Sequence, residues 1–244
     1  MEVGLDLNPD SFHLLATLLT PAEKTKYCEM IGYLMYATVM THPDIVFAVS
    51  TLSQYLDAPQ TTHLQAVTRV FHYLSDMKEL KLVLGGPHST IAGYSNVDWA
   101  SQIHHHSISG FVFFVSIGAI SWSSKKQPII TLSSTEAEYV TLTHSSKDII
   151  WIHKLLTELS SVFLFTVPTT LFCDNQGAVT LSKDSKFHSH TKHIDVHFHF
   201  ICQTVSHGHI VLSDCSTNDM ITDIFTKALS YFKFERFCTL LGVL

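Results

Sequence analysis

Glu138, Asp174 and Asp223 occupy the places where a chain of mixed strands and helices collects reactive groups: a helix start, the end of a strand and a late helix. A fourth strand end, Gly93-Tyr94-Ser95, runs on into Asn96-Val97-Asp98-Trp99 and brings Asp98. Three or four carboxylates converging from separate elements make the oxygen-rich cage that Mg²⁺ or Mn²⁺ takes. Two such ions a few ångströms apart activate a water and stabilise the leaving oxygen in phosphodiester cleavage. Ser133 with Glu136 has the spacing of a capping box, which puts Glu138 in the first turn or so of its helix. There the backbone amides and the helix dipole favour an ionised carboxylate. The same two glutamates could equally decorate an ordinary helix N-terminus, and spacing alone does not make the acids converge.

The elements that must position these groups follow from periodicity. Thr20-Pro21-Ala22-Glu23 opens a helix to about Met40, with proline at its first position. His42-Pro43-Asp44 breaks it, a second helix runs to about Leu56, and a third runs from Thr61 or Thr62 to about Asp76. From residue 80 the period changes. Strands are expected at Lys81–Leu84, Ile91–Ser95, Gly110–Ser116, Ala119–Ser123 and, shorter, Ile129–Leu132. A helix from about Ser133 to Leu159 follows, then a strand at Thr169–Cys173, a short helix at Gln176–Leu181 and a helix at Thr191–Val205. A last strand at His209–Ser213 precedes helices at Asp219–Leu229 and Phe232–Leu241. Antiparallel strands first, then strand–helix alternation, predict an α/β domain with a mixed sheet. The expected organisation is an irregular N-terminus (1–19), a helical segment (20–80), an α/β domain (85–229) and a C-terminal helix (230–244).

Composition narrows the class. The 244 residues are 46% hydrophobic, enough for a sizeable core. No apolar run reaches the length of a membrane span, and Met1–Phe12 lacks a signal-peptide pattern. Five cysteines, widely spaced and without CxxC, favour reduced intracellular thiols over a disulfide framework or a cysteine-rich zinc module. The expected location is therefore intracellular, not secreted. There are 13 lysines, two arginines and 17 histidines, with a formal net charge of −6. That balance is unlike the basic surface of a typical nucleic-acid binder.

Several stretches in order carry a resemblance. They are Gly93-Tyr94-Ser95 with Asp98-Trp99-Ala100, Ala119–Pro128, Leu132–Tyr139, Cys173-Asp174-Asn175-Gln176, Thr191–Asp195 and Asp223–Leu229. Together they resemble the ribonuclease H domain that ends the polyprotein of copia-type LTR retrotransposons. Residues 27–77, with Gly32–Ala37 and Pro43-Asp44-Ile45, resemble the linker after that family's polymerase. The resemblance spans about residues 25–242. It implies an RNase H-like mixed five-stranded sheet flanked by helices, with an N-terminal helical extension. It also implies cleavage of the RNA strand of an RNA/DNA hybrid by four acidic residues and two Mg²⁺ or Mn²⁺ ions. The implied partners are the hybrid and the polymerase domain of the parent polyprotein. Neither an Asp-Asp pair nor CxxC occurs, so polymerase and integrase signatures are missing and a terminal fragment is expected. Glu138, Asp174 and Asp223 match the family's acids as catalytic and metal-binding residues. Lys125, Lys126, Asn175 and Lys192 are the weaker candidates for nucleic-acid contact.

The first acid of the family falls on position 96, which is Asn96 here. Asp98 is the substitute two residues on, but along a strand its carboxylate would lie roughly 7 Å away. Loss of a central ligand predicts a degenerate, catalytically impaired enzyme. Relative to the family, His42, one of His104–His106, His190, His197 and Cys202 replace arginines, and Val97 and Thr222 replace alanines. Each change, like Asp→Asn, can arise by one C-to-T transition, the mark of deamination in a silenced repeat; codons differing as often by transversion would refute that history. Two other functions stay open. One is a non-catalytic nucleic-acid-binding or interaction module. The other is a metal-binding protein built on His188, His190, His193, His197 and His199, among which His193 and His197 have helical i,i+4 ligand spacing.

Overall fold

The computed structural model describes residues 7, 17–86, 91–102, 105–159, 168–183 and 195–244. The chain divides into two compact units, Leu84–Thr226 on one hand and Met1–Val83 with Lys227–Leu244 on the other.

The smaller unit is helical. α1 (Pro21–Met40) starts with a reciprocal cap: the Glu23 carboxylate accepts from the Thr20 N–H at 2.9 Å, and Thr20 Oγ1 accepts from the Glu23 N–H at 3.4 Å. A 3₁₀ turn at Pro43–Ile45 leads into α2 (Val46–Ser53), shorter than its apolar pattern suggested, and α3 (Thr61–Asp76) follows. Tyr27, Ile31, Leu34, Leu52 and Val67 fill the core between these helices. His63 sits wholly inside this unit, its Nδ1 accepting from the Gln60 N–H at 2.9 Å. The expected strand at Lys81–Leu84 is absent from the sheet. Its Lys81 and Val83 amides bond to Leu244 and Gly242, so the segment runs beside the end of the chain, after α8 (Tyr231–Leu240).

The larger unit carries the mixed five-stranded sheet, in the order β3-β2-β1-β4-β5. β1 (Ile91–Asp98), β2 (Ile108–Val115) and β3 (Ala119–Lys126) form an antiparallel meander. β4 (Thr169–Cys173) joins β1 in parallel, and β5 (Ile210–Asp214) joins β4 in parallel. α4 (Ser134–Leu159) and α6 (Asp195–Ser206) pack on the sheet over a core that includes Phe113, Leu142, Ile149, Leu171 and Ile201, and α5 (Gln176–Lys183) follows β4. The fold class is therefore the expected one, an RNase H-like mixed five-stranded sheet flanked by helices, with a helical region N-terminal to it.

Two expected elements differ. Ile129–Leu132 is not a strand: Pro128 interrupts the backbone after β3, and Ile130 and Leu132 point to solvent with nothing to pair against. The expected helix Asp219–Leu229 breaks into a 3₁₀ turn at Thr217–Asp219 and one helical turn, α7 (Asp223–Thr226). The Asp223, Ile224 and Phe225 amides each bond three residues back, and this tight winding keeps α7 short.

Candidate active site

Register brings the acidic positions together. Tyr94 pairs with Phe172, so Asp174, just past β4, comes level with Asn96 on the neighbouring strand. The β1–β4 ladder covers only Ala92–Tyr94, which leaves that side of residues 95–98 free of strand partners. Glu138 enters this gap from α4. It is 3% exposed, and the Val97 backbone amide lies near enough to act on its carboxylate. Cys173 Sγ stands 3.9 Å from Glu138 Oε2. Among the described residues Glu138, Cys173 and Asp174 form one group with metal-ligand spacing, each offering an atom within 4.8 Å of the others.

Asp223 arrives from the opposite side. Gly110 lies directly across the β1–β2 ladder from Asn96. A Cβ on Gly110 would sit 2.7 Å from Thr226 Cγ2 and 2.9 Å from Phe225 Cβ, so the bare glycine is what lets α7 lie against β2. Asp223, wholly buried, then accepts a 2.7 Å hydrogen bond from Asn96 Nδ2. Asn96 Oδ1 accepts from the Val97 N–H at 2.8 Å. The Asn96 side chain thus links Asp223 to the end of β1, beside which Glu138 and Asp174 come together. Asp98 does not join them. β1 continues through Asp98, paired with Ile108, so the strand has not ended and its carboxylate stays a two-residue step away.

The start of α4 is anchored by the expected Ser133–Glu136 cap and by a Gln127 network that the sequence did not single out. Ser133 Oγ accepts from the Glu136 N–H at 3.2 Å, and the Glu136 carboxylate turns back to accept from the Leu132 N–H at 2.6 Å, so Glu136 caps the helix. Buried Gln127 donates to Ser109 Oγ and to the Ala137 carbonyl, each at 2.9 Å. Ser109 in turn bonds Thr141 Oγ1 at 2.7 Å. This network ties β2, the segment after β3 and α4 together next to Glu138. Its only cue in the sequence is the polar run within otherwise apolar elements.

Electrostatics correct one expectation. At Glu138 burial outweighs the pull of the helix terminus. Burial, together with the nearby Asp174 carboxylate, pushes its pKa well above the usual range, against the opposing bonds from Val97 and Cys173. Burial likewise raises the Cys173 thiol, with Glu138 adding to the effect.

The donor set does not fit a cage for two ions. Asn96 turns an N–H donor, not an oxygen, toward Asp223, and its one oxygen is occupied by Val97. Glu138, Cys173 and Asp174 retain the spacing for a single divalent ion. Of the weaker candidates, Lys125 is exposed and Lys126 partly so at the end of β3, and Asn175 is half-buried just before α5. Lys192, His104, His188, His190 and His193 lie outside the described residues. His197 and His199 are on α6; burial and Lys147 lower the His197 pKa. The five cysteines are free thiols, and among the described residues no helix is long and apolar enough to cross a membrane.

An antiparallel meander extended by two parallel strands, with carboxylates gathered where β1 and β4 part, defines an RNase H-like domain. The chain is similar to the retrovirus-related Pol polyproteins of transposons. It is 39% identical over 221 residues to the Pol polyprotein of transposon TNT 1-94 from Nicotiana tabacum, covering 90% of this chain and 16% of that protein. It is 38% identical over 223 residues to the Pol polyprotein of transposon RE1 from Arabidopsis thaliana, covering 91% and 15%. The chain thus spans less than a fifth of the length of these relatives. No family model matches it. Among solved structures it is similar to the N-terminal RNase H domain of Rv2228c from Mycobacterium tuberculosis, at 10% identity and a TM-score of 0.42, covering 62% of this chain and 97% of that one.

Proposed function

We propose that this RNase H-like domain descends from an enzyme that cleaved the RNA strand of RNA/DNA hybrids, and that its own cleavage activity is impaired or lost. The observation that carries the reading is the Asn96 amide bonded at 2.7 Å to Asp223, in the place where the resemblance calls for a carboxylate. Mg²⁺ or Mn²⁺ is the expected cofactor, and it would supply charge stabilisation at the phosphate and an activated water. Glu138 and Asp174 would hold a single ion. Asp223, engaged by Asn96, would not complete a second site. The Gln127 network holds the start of α4, and with it Glu138, in place.

The partners under this reading are an RNA/DNA hybrid and the polymerase region of a parent polyprotein. Lys125 and Lys126, at the end of edge strand β3, offer charge to a phosphate backbone. The test is hybrid cleavage in Mg²⁺ and in Mn²⁺ by the chain and by its Asn96→Asp variant. Losing about 4 kcal/mol of transition-state stabilisation is roughly a thousandfold in rate. The variant is therefore expected to cleave at least that much faster. Equal turnover by the two proteins would refute impairment, and hybrid binding with no cleavage by either would favour a non-catalytic binding module.

A further inference from the structure

The Asn96–Asp223 contact does something besides removing a ligand. Asp223 is wholly buried and Asn96 is 4% exposed, and their bond joins β1 to α7 across 127 residues of chain. The surroundings set the orientation of the amide. Because the Val97 N–H donates to Asn96 Oδ1, turning the side chain over would point its NH₂ at another donor and its oxygen at a carboxylate. An aspartate at position 96 would put two carboxylates at about that same separation with no donor between them. Such a pair stays together only with a cation or a shared proton between its oxygens.

We infer that Asn96 stands in for that cation. Its amide donor clasps β1 to α7, so this corner of the domain folds without a divalent ion. The inference rests on reading the four positions as one site, and not on any cleavage activity.

Thermal melting of the full chain tests it, in EDTA and in millimolar MgCl₂, followed by tryptophan fluorescence. Trp99, Trp122 and Trp151 all lie in the Leu84–Thr226 unit, so the signal reports the unit that holds the clasp. In EDTA, Asn96→Asp is expected to melt roughly 5 °C or more below the parent chain. Magnesium is expected to raise the melting temperature of the variant by more than it raises that of the parent. The exchanged pair, Asn96→Asp with Asp223→Asn, keeps one amide and one carboxylate in reversed places. It is expected to recover most of the loss in EDTA and to respond to magnesium as the parent does.

An Asn96→Asp variant as stable as the parent in EDTA, or equal magnesium increments in the two proteins, would overturn the clasp. Should Asn96→Asp fail to fold in EDTA, folding restored by magnesium or by the exchange supports it, and restoration by neither overturns it. Cleavage by the parent chain would sink the functional proposal and leave these melting comparisons standing.

Discussion

Replacing Gly110 by alanine probes how the site is assembled without touching any of its polar groups. The added Cβ would lie 2.7 Å from Thr226 Cγ2, 2.9 Å from Phe225 Cβ and 3.3 Å from the Thr222 carbonyl oxygen. Carbon atoms rest at about 3.5–4.0 Å, so α7 must retreat by about 1 Å. Asn96 lies directly across the ladder from Gly110. A retreat of that size would lengthen its 2.7 Å bond to Asp223 by about 1 Å, out of hydrogen-bonding range. Overpacking costs about 1–3 kcal/mol. A lost hydrogen bond to a charged group adds about 1.5–3 kcal/mol. The stiffer unfolded chain returns somewhat under about 1 kcal/mol. The expected net loss is therefore about 2–5 kcal/mol, read as a lower midpoint in urea by tryptophan fluorescence. Adding Thr226→Ser removes the methyl at 2.7 Å and keeps the hydroxyl that donates to the Asp223 carbonyl, so part of the loss should return. A Gly110→Ala protein within about 0.5 kcal/mol of the parent would refute the close-approach argument, an ordinary value for a harmless substitution. No recovery with Thr226→Ser would show that the methyl contact is not the cause.

Two further expectations concern titrating groups. Glu138 has a raised pKa in the ion-free fold, so the stability it contributes is full at acid pH and is lost as pH rises through its folded value. Glu138→Gln, measured in EDTA, should therefore gain on the parent with rising pH, and a constant difference between the two from acid to alkaline pH would refute this. In the helical unit, His42 Nδ1 lies 3.5 Å from buried Asp44, whose other oxygen accepts from Tyr73 Oη at 2.6 Å. The bond to Asp44 raises the His42 pKa above 6.5 against the effect of burial, so its contribution is full below that value and fades as pH climbs through the folded pKa. His42→Arg keeps the charge at all working pH values and should stabilise this unit by about 1 kcal/mol in mildly alkaline buffer, but not in mildly acidic buffer. A pH-independent difference in the urea midpoint, followed by circular dichroism, would exclude the His42–Asp44 pair as its source.

Local chemistry made much of the fold readable. α1 announces itself through Thr20, Pro21 and Glu23, and β4 was delimited residue for residue because a short apolar run ends at Cys173 before a turn. Ile129–Leu132 misled because apolar residues signal a strand only where the backbone pairs, and here the Thr131 carbonyl and Leu132 N–H bond to the Trp99 and Glu136 side chains. The positions that make up the site were legible through motif order and not through periodicity. What they do to one another was not. Glu138 sits near a helix start, which favours its charge, but burial and the Asp174 carboxylate, 36 residues on at the end of β4, reverse this. In the same way, Asn96 could be read as a missing ligand, whereas its donation to Asp223 depends on Gly110 admitting α7.

The topology also sets an order of events during folding. The β1–β2–β3 meander pairs neighbours in sequence, so it can form early at little cost in loop closure. The parallel pairs must wait for α4 and the segments after it, and Asp223 reaches β1 only after a 127-residue loop has closed. During synthesis on a ribosome, α7 is the last part of the Leu84–Thr226 unit to emerge. The Asn96–Asp223 bond is therefore among the last contacts of this unit that a nascent chain can make.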